Sequence, residues 1–175
     1  MNLGKRFALF STQVKQTLAT LEKLPPTQLS KQREDGKWSI NQILHHLLVS
    51  HEGILKYIQY KIQTRENVRE SGFKASWNSF WLTVTLKLPL KMKMPAKLPA
   101  PSNDITLEEL QERFHQNLND FQQLIDNYPQ ELEGKVIFKH PFAGRITLSQ
   151  TVSFLKNHFQ HHLPQIKKLQ AYTTQ

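Results

Sequence analysis

The chain has 175 residues, a formal net charge of +9, 38% hydrophobic and 21% charged residues, and no cysteine. Its length suits one domain, 1–175, large enough to bury a core, and its composition excludes a disordered chain. Without cysteine there is neither a disulfide framework nor a thiolate metal site, which suits a reducing compartment.

Apolar residues at helical spacing, Phe7, Phe10, Val14, Leu18 and Leu21, predict a first helix over about 2–24. No clear cap precedes it, and Pro25 and Pro26 end it. "FALF" (7–10) is too short for the apolar core of a secretory leader, so a cytoplasmic location is expected. After a loop over 25–38, "SINQ" (39–42) has Ser followed three residues later by Gln. That is a capping box, in which two side chains satisfy orphan N–H groups at a helix start. It opens a second helix over about 39–65, with the stripe Ile40, Ile43, Leu44, Leu47, Ile54, Ile58 and Ile62. Trp38, just before the cap, reads as a packing residue at the helix start.

Residues 66–105 are rich in Pro, Lys and aromatics and predict a long crossover. Within it, "SFWLTVTLKLPLKMKMPAKLPAP" (79–101) is interrupted by lysines and prolines throughout, which excludes a bilayer span. No membrane partner is expected. Phe80 and Trp81 would cover the bundle or pair two subunits as a homodimer. The basic residues concentrate only mildly, at Lys87, Lys91, Lys93 and Lys97, and no helix-turn-helix, zinc-finger or RNA-binding signature is present. The charge therefore reads as a solvated basic surface, with no nucleic acid as partner.

"TLEE" (106–109) caps a third helix over about 106–127, with Leu107, Leu110, Phe114, Leu118, Phe121 and Ile125. The following loop, 128–146, contains "KVIFKHPFAGRITL" (135–148), which has room for a short extended piece with Gly144 as a turn and His140 in the turn. "TLSQ" (147–150) caps a fourth helix over about 147–172, with Leu148, Val152, Leu155, Phe159, Ile166 and Leu169. Four amphipathic helices need one another's apolar faces. The expected fold is all-α, a four-helix bundle whose long crossover lets helices two and three run parallel.

The fourth helix carries "NHFQHHLPQI" (157–166), with three of the chain's eight histidines in five positions. Two histidines four residues apart on a helix share a face and can grip one ion. His158 and His162 have that spacing. At roughly 100° per residue, His162 falls inside the edge of the apolar stripe and His158 just beyond it, while His161 falls toward solvent. The alternative is a solvated helix face on which histidines happen to cluster. A third ligand must come from elsewhere, and "HHLLVSH" (45–51) on helix two offers His45, His46 and His51. Helical phase favours His51, at the centre of its stripe, and places His46 on another side. The bland reading of His51 is a core histidine satisfied by one hydrogen bond.

Two segments resemble the DinB/YfiT-like family. "KWSINQILHHL" (37–47) is similar to the start of the family's second helix, where a Trp-Ser pair opens the helix and a histidine followed by leucine comes eight residues after the Trp. Here that histidine is His46. "HPFAGRITLSQTVSFLKNHFQHHLPQI" (140–166) resembles the second signature: a His-Pro and Gly turn, a Thr-capped helix, then His-x-x-x-His-x-x-Gln-Ile at His158, His162, Gln165 and Ile166. Pro164 departs from a regular helix, since it removes a backbone N–H and should bend the last turns.

The resemblance implies a four-helix bundle with a long connection between helices two and three. It also implies a divalent metal held by His46, His158 and His162, against the preference of phase for His51. Nitrogen ligands suit zinc and nickel alike. Relatives of this fold include S-transferases and isomerases that use the low-molecular-weight thiols bacillithiol or mycothiol, and proteins described as metal-dependent hydrolases. A transferase or hydrolase acting on a small-molecule substrate is the first expectation, with any thiol brought in from outside. A non-catalytic metal-binding or stress-associated bundle is the alternative. Gln165, His51 and Tyr57 are candidate pocket residues, and no residue declares itself as a general base.

Overall fold

The computed structural model describes residues 2–32, 36–65, 68–70, 100–141 and 144–172. Among the described residues, five α-helices carry the fold: α1 Leu3–Leu21, α2 Pro26–Leu29, α3 Ile40–Thr64, α4 Leu107–Asp126 and α5 Leu148–Tyr172. Three short strands accompany them: β1 Arg69–Glu70, β2 Lys135–His140 and β3 Gly144–Thr147. The fold is all-α in character, with a minor sheet at one side.

The helices begin where side chains replace missing intrahelical partners. Ser39 Oγ accepts the Gln42 N–H at 3.1 Å and the Gln42 side chain accepts the Ser39 N–H at 3.1 Å, a complete capping box for α3. Thr147 and Gln150 do the same for α5. Thr106 Oγ1 accepts the Glu109 N–H at 3.1 Å at the start of α4. The first helix, read above as uncapped, has a cap after all: Asn2 Oδ1 accepts the Lys5 N–H at 2.9 Å. The two prolines after α1 open a turn as much as they close a helix, for Pro26 is the first residue of α2, where a missing N–H costs nothing. At the far end of α3, Arg65 takes a left-handed backbone at φ 56°, which ends the helix.

Side-chain contacts fix the helix directions. Asn41 Nδ2 donates to the Ile105 carbonyl, Arg113 pairs with Glu52, and Arg65 pairs with Glu131, so α3 and α4 run parallel. Arg6 donates to Ser149 while Phe10 packs edge-on against Phe159, so α1 and α5 are also parallel. Phe7 packs on Phe121 and Gln111 donates to Glu22, which sets α1 against α4 head to tail. A 25-residue α3 is about 37 Å long, so a parallel neighbour needs a connection that returns that distance. This explains the long crossover. Its middle, with Phe80, Trp81 and Lys87, Lys91, Lys93 and Lys97, lies outside the described residues.

The apolar stripes meet in one contiguous core. Phe7, Phe10, Phe114, Phe121 and Phe159 fill it together with Leu18, Leu44, Leu47, Leu118 and Leu155. The extended piece expected over 135–148 is two strands. β2 pairs antiparallel with both β1 and β3 in the order β1-β2-β3, with Phe138 opposite Ile146. Gly144 opens β3 at φ 69°, a conformation that favours glycine. Buried Ile137 and Ile146 fasten the sheet to the helices. No described helix is long and apolar enough to cross a membrane.

Candidate metal centre

His46 stands on the second turn of α3, and His158 and His162 stand one turn apart on α5. These two helices run antiparallel and bring the three rings together. One ring nitrogen from each lies within 4.8 Å of the other two. His46 Nε2 and His158 Nε2 are 3.2 Å apart. Two nitrogens held about 2.0–2.1 Å from one tetrahedral ion stand roughly 3.3 Å from each other, so this spacing suits a shared ion. The rings face one another edge to face, with centroids 5.1 to 5.2 Å apart. The three imidazole nitrogens are a donor set that could hold a divalent metal ion.

Each ring is oriented differently. His162 Nδ1 lies 3.2 Å from Gln165 Oε1, which accepts its proton and leaves the Nε2 lone pair for the cluster. His158 Nδ1 is sealed from solvent and meets no hydrogen-bond partner among the described residues. Its plane is set instead by Phe154, one turn earlier on α5, stacked at 5.3 Å and 14°. His46 is backed by Trp38 at 5.0 Å.

Burial keeps the rings neutral. It pulls His46 down to about 4, helped by the neighbouring charge of His45. His162 is also pulled to about 4, by burial and then by His46, with the Gln165 hydrogen bond pushing back. His158 falls well below the usual histidine value for the same reasons, burial first and then His162 and His46. Neutral imidazoles present lone pairs at neutral pH, as metal ligation requires.

The other candidates lie elsewhere. His51, favoured by phase, is 0% exposed and stands edge-on to Phe10 and Phe114, outside the three-ring group. The single hydrogen bond expected of it is missing, for neither ring nitrogen has a partner among the described residues. Tyr57 is eleven residues beyond His46, about 16 Å along the helix. It packs edge-on against Phe138 of the sheet, with Lys61 over its ring. Gln165 serves His162 and is solvent-exposed. His161 is half-buried, touches His162 ring to ring, and stands outside the group. His45 accepts the Ser102 N–H at 2.8 Å and so ties α3 to the segment returning from the crossover. His140 ends β2 rather than lying in the turn, and it packs at 4.4 Å on Phe154.

Two further residues, Phe154 and Trp38, stand against the cluster. Phe154 was legible as the i−4 neighbour of His158 on one helix face. Trp38, assigned to helix-start packing, is half-buried with its ring also 6.5 Å from His162. Nothing in its own neighbourhood of sequence announces that second contact.

The family model described as the DinB superfamily matches residues 9–166, and the chain belongs to that superfamily. No match was found among curated proteins or among solved structures.

Proposed function

We propose that this member of the DinB superfamily binds a divalent metal through His46, His158 and His162 and acts on a small molecule, as a transferase with an external thiol or as a hydrolase. The observation that supports this reading is the convergence of three imidazoles from two helices, with one ring nitrogen of each in reach of a single ion. The three ligands found among the described residues fall short of the four of a closed structural site and leave a position for an exogenous donor. A divalent ion held by these three residues would lower the pKa of a bound water or thiol and so would supply a nucleophile near neutral pH.

The chain's own residues do the rest. Gln165 holds the tautomer of His162, burial excludes protons from the three nitrogens, and Phe154, stacked on His158, sets the plane of that ring. With no cysteine in the chain, a thiol cosubstrate has to enter from solution.

The test is metal content and helicity of His158→Ala and His161→Ala beside the parent. Loss of a partner behind a ligand commonly costs about 10–100-fold in affinity, so loss of His158 should cost at least that. Helix content should survive, because the apolar stripes carry the fold, and His161→Ala should bind metal as the parent does. Equal binding by both variants would place the metal elsewhere. Unfolding of His158→Ala would mark the metal as structural and favour the non-catalytic alternative.

A further inference from the structure

We infer that Trp38 is the recognition surface of this site and that the exogenous ligand is an anion bearing a flat apolar group, which lies against the indole. The inference rests on the metal reading above and extends it to the class of ligand.

Trp38 is the one residue outside the helices that touches the cluster among the described ring contacts. It precedes α3, and its ring stands 5.0 Å from His46 at 48° and 6.5 Å from His162 at 20°. It therefore borders two of the three candidate ligands at once. Phe154 flanks the third, His158, from within α5. The imidazoles thus lie between two aromatic walls. Phe154 belongs to the helix that supplies His158, whereas Trp38 belongs to the chain leading into the bundle and is only partly buried against the core.

Trp38 is a tryptophan that packs on the core yet keeps part of its surface accessible beside a polar cluster. One that borders an open coordination position offers a ligand a broad, flat, apolar face. Its backbone is held firmly. The next residue, Ser39, is fully buried and locked in the capping box, and it also bonds Asn103 of the returning segment. The wall is therefore preformed, and little freedom is lost when a ligand lies on it.

Charge sets the other half of the ligand. Among the described residues, the charged groups acting on His46, His158 and His162 are other histidines, with no carboxylate beside them. A dication held by three neutral rings keeps its full positive charge, so an anionic donor is the favoured fourth partner.

The experiment uses the full chain loaded with cobalt(II) and two thiols of similar donor chemistry, phenylmethanethiol and ethanethiol. Binding is read from the thiolate-to-cobalt charge-transfer absorption, and cobalt stoichiometry is measured for every sample. The parent should prefer the aryl thiol. In Trp38→Leu, which keeps apolar bulk but loses the flat face, cobalt loading should match the parent and the aryl preference should fall about two- to tenfold, the worth of one aromatic contact. Trp38→Phe should restore most of it. An aryl-to-ethyl ratio that is the same in the parent and Trp38→Leu overturns the recognition role. So does failure of Trp38→Leu to load cobalt, which would make Trp38 a support for His46 and nothing more. A parent that takes up no cobalt would instead defeat the metal reading itself, and this inference with it.

Discussion

Replacing His51 by leucine should stabilise the protein, and more so in acid. The ring is 0% exposed between Phe10 and Phe114, and neither nitrogen meets a protein partner among the described residues. An unsatisfied buried polar atom costs about 1–3 kcal/mol, against which leucine forfeits edge-on ring contacts worth about 1 kcal/mol. For the two nitrogens together the net gain at pH 7 should be about 1–5 kcal/mol, or several degrees in Tm at ~2–4 °C per kcal/mol for a chain of this size.

The pH dependence sharpens the test. Burial, helped by His46, pulls the His51 imidazole from 6.5 down to about 3. The folded state therefore binds fewer protons than the unfolded state between these values, and stability is lost as pH falls through that window. At pH 5 the linkage costs roughly 2 kcal/mol, and at pH 7 almost nothing. Urea unfolding of the metal-free parent and His51→Leu at pH 7 and pH 5 measures both. The stability difference between the two proteins should widen by about 2 kcal/mol on going to pH 5. A constant difference, or a variant less stable than the parent at pH 5, would refute the picture of a neutral, unpartnered core histidine.

Further outcomes follow from the site and the caps. Gln165→Ala should weaken metal binding by about 10–100-fold with helicity unchanged, because the acceptor on His162 Nδ1 is lost; calorimetric titration with zinc reads it. Ser39→Ala should cost about 0.5–2 kcal/mol in urea unfolding, since the capping box of α3 and the bond to Asn103 both end on that hydroxyl.

Much of the fold was legible because caps and periodicity are local. Ser39, Thr106 and Thr147 mark helix starts within one residue, and the stripes beginning at Phe7, Ile40, Leu107 and Leu148 name most of the core. The α1 cap at Asn2 escaped notice because asparagine there has no glutamate or glutamine partner three residues on. The site was harder. A hydrophobic stripe points to the centre of the bundle, and His51 does lie there, sealed among phenylalanines. His46 lies about 140° round the helix from it, on the seam with α5 at the margin of the core. Periodicity finds the middle of a core and is blind to such seams. The family resemblance singled out His46, and the backbone geometry places its ring against His158. Trp38 needed the fold itself, because its contact with His162 joins residues 124 positions apart.

The central claim is that His46, His158 and His162 ligate one divalent ion and leave it open. The direct measurement is elemental analysis of untagged protein, followed by X-ray absorption at the edge of the metal found. The protein should carry close to one zinc or nickel per chain, with three imidazole nitrogens at about 2.0–2.1 Å and at least one further light donor or sulfur that exchanges with added thiol. Protein that carries no metal and takes up none, or a metal shell without three imidazoles, would contradict it.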